Sequence, residues 1–182
     1  MAQTASTMLP LQTVAPDFTL FNPKTQNQNS LQQLAAKQRA TVILFICNHC
    51  PFVRHIKSGI IHLARDYMPK GVQFIGINAN DAVRYPDDAP EKMPAEGYPF
   101  PYLVDETQEV AKAYHAACTP DCYVFDKNLR CVYRGQFDDS RPDNDKLVTG
   151  QDMRQALDAV LQGQMPDRDQ RPSIGCSIKW KT

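Results

Sequence analysis

The chain has 182 residues, enough to bury a core without staples. Its charges balance at 20 Lys plus Arg against 20 Asp plus Glu and form no run, which removes the electrostatic case for nucleic acid or an anionic membrane. No apolar stretch approaches the ~20 residues that span a bilayer, and residues 1–18 lack the basic and apolar segments of a secretory leader, so the expected compartment is the cytoplasm.

Residues 1–16 are polar with scattered Pro and are expected to pack only in part. Asp17 to Phe21 reads as a short edge strand, and Asn29-Ser30 before Leu31, Leu34 and Ala35 predicts a short capped helix. Thr41 to Ile46 is a continuous apolar run, the mark of a strand buried on both faces. A helix is predicted from about Asn48 to Met68, because Phe52, Ile56, Ile60, Leu63, Ala64 and Tyr67 share one side. Pro51 sits in its first turn, where a missing N–H is tolerated, and Pro69-Lys70-Gly71 ends it. Val72 to Ile77 is the next buried strand. Residues 79–101, punctuated by Pro86, Pro90, Pro94, Pro99 and Pro101, are expected to be a long surface excursion with one short helix near Pro90 to Glu96. Tyr102 to Val104 predicts a strand and Glu106 to Ala116 a helix. Cys122 to Asp126 and Cys131 to Phe137 read as a hairpin around Asp126-Lys127-Asn128-Leu129, followed by a helix from Gly150 to Leu161 and a polar tail. Strands alternating with helices, then a hairpin and a last helix, predict an α/β fold: a mixed, mainly parallel central sheet with helices on both faces. The expected organisation is an extension over 1–13, a domain over 14–163 and a tail over 164–182 packed on it.

Six cysteines (47, 50, 118, 122, 131 and 176) are few for a disulfide scaffold of this length. Cys47-Asn48-His49-Cys50 falls at the predicted strand-to-helix junction. A thiol at a helix start feels the unpaired N–H groups, so a Cys47 thiolate is expected to attack a disulfide, with Cys50 resolving the mixed disulfide. His49 is expected to stabilise that thiolate. Two other readings compete: a chance pair of buried hydrophobes, or a zinc site that would need His49, Cys118 and Cys122 to converge. Thr119-Pro120 opens a strand, and X-Pro is the one bond where cis is cheap. In this topology a cis-Pro loop is expected to face the dithiol and leave the preceding backbone free to pair with an extended substrate. Cys118 and Cys176 are candidates for additional redox thiols, while Cys122 and Cys131 read as strand core. Arg134, Asp138, Asp139 and Arg141 read as a solvated turn.

Strand, C-x-x-C, helix, strand, Thr-Pro, hairpin and helix together resemble the thioredoxin superfamily. More narrowly, Phe45-x-Cys47-Asn48-His49-Cys50-Pro51, the stretch Asp105 to Ala111, Cys118-Thr119-Pro120-Asp121, Tyr133 to Pro142 and Gly175-Cys176-Ser177-Ile178-Lys179-Trp180 resemble a peroxiredoxin-like, AhpC/TSA-related group of bacterial thioredoxin-fold proteins. The resemblance implies a thioredoxin-like fold and a thiol–disulfide oxidoreductase, or alternatively a thiol peroxidase with Cys47 peroxidatic. It assigns Cys47 as nucleophile, Cys50 as resolving cysteine, His49 to the histidine of disulfide isomerases and Pro120 to the cis-proline. The chain departs from the pattern in three places: Ile46 replaces the usual Trp, Thr41 replaces a buried acid, and Leu44 replaces the Thr that positions a peroxide. Implied partners are a protein or small-molecule disulfide or thiol, a peroxide under the second reading, and a dithiol electron donor, acting on a monomer or homodimer. No metal or organic cofactor is expected. A third reading is a non-enzymatic binding or metal-carrying module.

Overall fold

The computed structural model describes residues 3–182. Strands and helices follow one another as β1 (Gln3–Ala5), β2 (Thr19–Asn22), β3 (Asn27–Ser30), α1 (Leu31–Ala35), β4 (Ala40–Phe45), α2 (Pro51–Tyr67), β5 (Val72–Asn78) and β6 (Tyr102–Val104). The second half adds α3 (Glu109–Ala113), β7 (Cys118–Thr119), β8 (Asp121–Asp126), β9 (Cys131–Gly135), α4 (Gln151–Leu161) and β10 (Ile174–Ser177). Seven strands form the main sheet in the order β3-β2-β6-β5-β4-β8-β9. β4 lies inside it, next to the central β5, parallel to β5 and antiparallel to β8. The fold is α/β, as the alternation of elements predicts, and thioredoxin-like, as the resemblance implies. The sheet is mixed but mainly antiparallel rather than mainly parallel, because the β2–β3 and β8–β9 hairpins and the β2–β6 and β4–β8 pairs run antiparallel and only β4–β5 and β5–β6 run parallel.

Every residue of β4 is buried because the strand has a core on each side. Val42 and Leu44 pack with Val53, Ile60 and Leu63 of α2 and with Met153 and Leu157 of α4. Ile43 and Phe45 point the other way, onto Tyr114, Tyr123 and Phe125. Successive side chains of a strand alternate faces, so an unbroken apolar run is what a strand between two helical layers requires.

Four stretches differ from their sequence reading. The 79–101 excursion is packed inward at several points: Asp88, Met93, Tyr98 and Phe100 are buried, and the Tyr98 and Phe100 rings stack at 5.1 Å. The helix expected over Glu106 to Ala116 shortens to Glu109–Ala113, because Gln108 and His115 adopt positive φ (64° and 54°) and close it at both ends. Asp138 is buried rather than solvated. Its carboxylate accepts the Ser140 N–H at 3.0 Å and the Thr149 and Gly150 N–H groups at 2.7 Å each, which ties the loop after β9 to the start of α4. Finally, the two termini are joined. β10 lies between β1 and β7 in a three-stranded antiparallel sheet, and Leu9, Ala15, Cys176 and Ile178 are buried. Among the described residues no helix is long and apolar enough to cross a membrane.

The β10–β7 contact requires a glycine. A Cβ on Gly175 would stand 2.0 Å from the Thr119 carbonyl oxygen, and its nearest neighbours are all backbone atoms of Thr119 and Pro120, so no flexible side chain can yield. Gly175→Ala should therefore lower the unfolding free energy by about 1–3 kcal/mol, the usual cost of overpacking. Urea denaturation of the reduced protein checks this; an unchanged midpoint would mean that β10 does not press on Thr119.

Candidate active site

The site occupies the turn between β4 and α2. Cys50 is extended (φ −67°, ψ 125°) and caps α2, whose first residue is Pro51, so the helix begins three residues later than its periodicity suggests. The turn is held from below by Asp88, which lies at the end of a short 3-10 segment, Pro86–Asp88, inside the 79–101 stretch. Asp88 Oδ1 accepts the backbone N–H of Asn48 at 2.7 Å and of His49 at 3.4 Å. Its Oδ2 accepts from Asn80 Nδ2 at 2.8 Å and pairs with His49 Nδ1 at 2.6 Å. A carboxylate only accepts, so Nδ1 carries the hydrogen. The His49 ring stacks on Tyr85 at 5.5 Å and 10°. Asn48 is fixed in turn, since its Oδ1 accepts from the Tyr102 hydroxyl at 2.9 Å and its Nδ2 donates to the Asp87 carbonyl at 2.9 Å.

All six cysteines are free and buried. The dithiol is enclosed, with Cys47 only 2% exposed and Cys50 0%. Thr119 touches both sulfurs: its hydroxyl lies 3.4 Å from Cys47 Sγ, and its carbonyl accepts the Cys50 S–H at 3.2 Å. The Thr119–Pro120 bond is cis. Cys50 is drawn down to about 4, first by the S–H of Cys47 donating to it and then by the Cys176 S–H and the N–H groups of Val53 and Cys176, against the cost of burial. Cys47 is pushed well above the ordinary thiol value by the same Cys47–Cys50 bond, by burial and by the charge of Asp88, which outweigh the Thr119 hydroxyl. The direction of the two shifts favours ionisation of Cys50 over Cys47 within this buried pair, whereas the helix-start argument favours Cys47. When Cys50 carries its proton, the Thr119 carbonyl is the acceptor.

The other candidates are placed as follows. Cys118 is buried beside the Pro120 carbonyl (3.5 Å), and burial raises its ionisation. Cys122 and Cys131 are buried and raised for the same reason. Cys176 lies against Cys50, and burial followed by the Cys50 contact pushes it up to about 12. The backbone before Pro120 is not free for a substrate, because Thr119 is the cross-strand partner of Cys176. Cys118 and Cys122 do not converge on His49. Among the described residues the metal-capable group is Cys47, His49 and Asp88, with donor atoms within 4.8 Å of one another. Each Asp88 oxygen already takes two N–H donors, so its lone pairs are engaged. Sequence reasoning missed Asp88 entirely: it follows the exposed Asp87 in a proline-rich stretch, and nothing local separates the two.

Residues 11–134 match the AhpC/TSA family. No curated protein matches the chain. Among solved structures, an uncharacterized conserved protein from Geobacillus kaustophilus is 58% identical over 100% of this chain and 97% of its own, with a TM-score of 0.96. A hypothetical protein from Sinorhizobium meliloti is 45% identical over 98% of this chain and 99% of its own, with a TM-score of 0.94. The thioredoxin domain of a thiol-disulfide oxidoreductase from Bacteroides vulgatus shares the fold at 17% identity, covering 81% of this chain and 98% of its own, with a TM-score of 0.61.

Two outcomes follow from the site. Asp88→Asn replaces two accepting lone-pair sites with donors, and should cost about 1–3 kcal/mol as buried N–H groups lose their partner. It should also bring the Cys47 ionisation down, since the Asp88 charge is one of its causes; the pH dependence of Cys47 alkylation reads this, and an unmoved profile would deny the Asp88–Cys47 interaction. The second outcome concerns pH. Between about 4 and 9.0 the unfolded chain keeps the Cys50 proton and the folded chain does not, so this contribution grows as pH rises and is lost as pH falls toward 4. Above 9.0 the folded chain alone keeps the Cys47 proton, so the gain then declines. The stability advantage of the reduced wild type over Cys50→Ser should therefore widen from acid to a maximum near the ordinary thiol value; a pH-independent gap in thermal midpoints would contradict the assignment.

Proposed function

The chain belongs to the AhpC/TSA family, and from that premise we propose that it is a thiol–disulfide oxidoreductase working through Cys47 and Cys50. The observation that carries this reading is the position of Thr119, whose hydroxyl meets one sulfur and whose carbonyl meets the other. Transfer of the Cys47 proton to Cys50 leaves a Cys47 thiolate with the Thr119 hydroxyl as donor and a Cys50 S–H with the Thr119 carbonyl as acceptor. The Cys47 thiolate attacks a substrate disulfide; one S–S bond forms, another breaks, and the leaving thiolate takes a proton. Cys50 then loses its proton, attacks Cys47 Sγ and releases the second substrate thiol, which leaves a Cys47–Cys50 disulfide for a dithiol donor to reduce. His49, oriented by Asp88 and Tyr85, supplies an imidazole beside Cys47 for these proton movements. The substrate reaches Cys47 without pairing to the Thr119 backbone, because β10 already does so.

A peroxidase reading gains from the same threonine. Leu44 occupies the position where the family pattern has a hydroxyl, but Thr119 Oγ1 stands 3.4 Å from Cys47 Sγ and offers one from across the sheet. In that reaction Cys47 attacks the peroxide, the O–O bond breaks, water or an alcohol leaves, and Cys50 displaces water from the sulfenic acid.

Cys50→Ser should accumulate mixed disulfides through Cys47 with model disulfides such as oxidised glutathione or insulin, while wild type turns over. Cys47→Ser should abolish both behaviours. Peroxide consumption that needs Cys47 and proceeds while insulin stays oxidised would move the assignment to the peroxidase. A dithiol inert to both reagents would remove the redox reading altogether.

A further inference from the structure

Cys50 is not simply the second sulfur of a pair. It shares one buried cluster with two other thiols, Cys47 from the same turn and Cys176 from the C-terminal strand, and both help to lower its ionisation. The backbone explains the second of these. Cys176 is the direct cross-strand partner of Thr119, and the Thr119 carbonyl lies 3.2 Å from Cys50 Sγ. Gly175 allows this approach, since any side chain there would meet Thr119. β10 is also firmly held. It pairs with β1 on one edge and β7 on the other, and beyond it the Lys179 N–H donates to Asn80 Oδ1 at 2.8 Å and the Lys181 N–H to Gln108 Oε1 at 2.8 Å. Asn80 is the residue that also donates to Asp88, so one segment fixes both the tail and the dithiol turn. The chain thus lays its own strand, bearing a cysteine, along the edge at which an extended substrate would pair.

We propose that Cys176 is a third redox thiol, which exchanges with the Cys47–Cys50 disulfide to give a Cys50–Cys176 disulfide and a free Cys47. This rests on the dithiol reading above and extends it. The Cys176 thiolate attacks Sγ of Cys50, the Cys50–Cys176 bond forms, and the Cys47–Cys50 bond breaks. The electron pair leaves on Cys47, which takes up the proton that Cys176 gave up. The protein stays oxidised by two electrons throughout, so no external oxidant or reductant enters the step.

Oxidation of the dithiol prepares this exchange. In the reduced protein Cys176 is raised by burial, by its bond to the Cys50 sulfur and by the charge there, while Lys179 lowers it. When Cys50 enters a disulfide, the charge and that bond go, and burial alone opposes Lys179. Cys176 is therefore held as a thiol while Cys50 is reduced and becomes a better nucleophile once Cys50 is oxidised. The result is a relay: Cys47 is restored for a second attack while the oxidising equivalent is held at the tail.

The test is peptide mapping of the full chain after oxidation with one equivalent of diamide, acid quenching, alkylation and non-reducing trypsin digestion. Cys47 and Cys50 share the tryptic peptide 40–54, and Cys176 lies on 169–179, so the two disulfides differ as an internal and a crosslinked product. Wild type should yield both, with Cys47 alkylated in the crosslinked one. Cys47→Ser should yield only the crosslink, and Cys176→Ser only the internal disulfide. If wild type forms the internal disulfide but neither it nor Cys47→Ser gives the crosslink, the relay is wrong and the dithiol function stands. If no internal disulfide forms in wild type, the dithiol reading fails, and the exchange fails with it. A crosslink seen only in urea would also overturn the proposal, and comparison of wild type alone decides the matter should a variant not fold.

Discussion

One buried carboxylate holds the site together. Asp88 carries charge into a place water does not reach, and burial of that kind is tolerated when hydrogen bonds replace the lost solvation. Four N–H groups do so here, two from the backbone of the cysteine turn and two from the side chains of Asn80 and His49. The turn between β4 and α2 thereby acquires a single conformation. Without Asp88 the N–H groups of Asn48 and His49 would face the protein interior unpaired. The sulfurs, the imidazole and the helix start would then have nothing to fix their mutual positions.

Burial and reactivity pull against each other at this turn. Burial disfavours a thiolate, and it is the first cause of the raised ionisation of Cys118, Cys122, Cys131 and Cys176. Cys50 escapes because donors surround it: two S–H groups and two backbone N–H groups. The site is best described as a proton-sharing set of sulfurs around one acceptor, with Thr119 offering a donor to one side and an acceptor to the other. Such a set responds as a unit, so changing the charge at Cys50 alters both neighbours.

The sequence made some of this legible. The apolar run at β4, the period of α2 and the punctuation by Pro69-Lys70-Gly71 are local signals, and each produced the element it suggested. The dithiol was visible because two cysteines at a strand-to-helix junction form a local pattern. Asp88 was not, because its role depends on partners at 48, 49 and 80 that only the folded 79–101 stretch brings near. The tail misled for a related reason. Ile174 to Ser177 is too short and too mixed to read as a strand alone, and it becomes one by filling a gap between β1 and β7. Helix α3 was over-extended because apolar spacing persists past Ala113, while the positive φ at His115 that ends it leaves no mark in hydrophobic periodicity.

What the residues determined by themselves was the α/β alternation, the central buried strand and a pair of thiols where a helix begins, because these depend on spacing along the chain. Tertiary structure alone decided what surrounds each sulfur, which carboxylate clamps the turn and which strand lies on the Thr119 edge. Those outcomes depend on hydrogen bonds between residues far apart in the chain, 72 positions for Cys47 and Thr119 and 69 for Cys50 and Thr119, and on burial, neither of which any local pattern encodes.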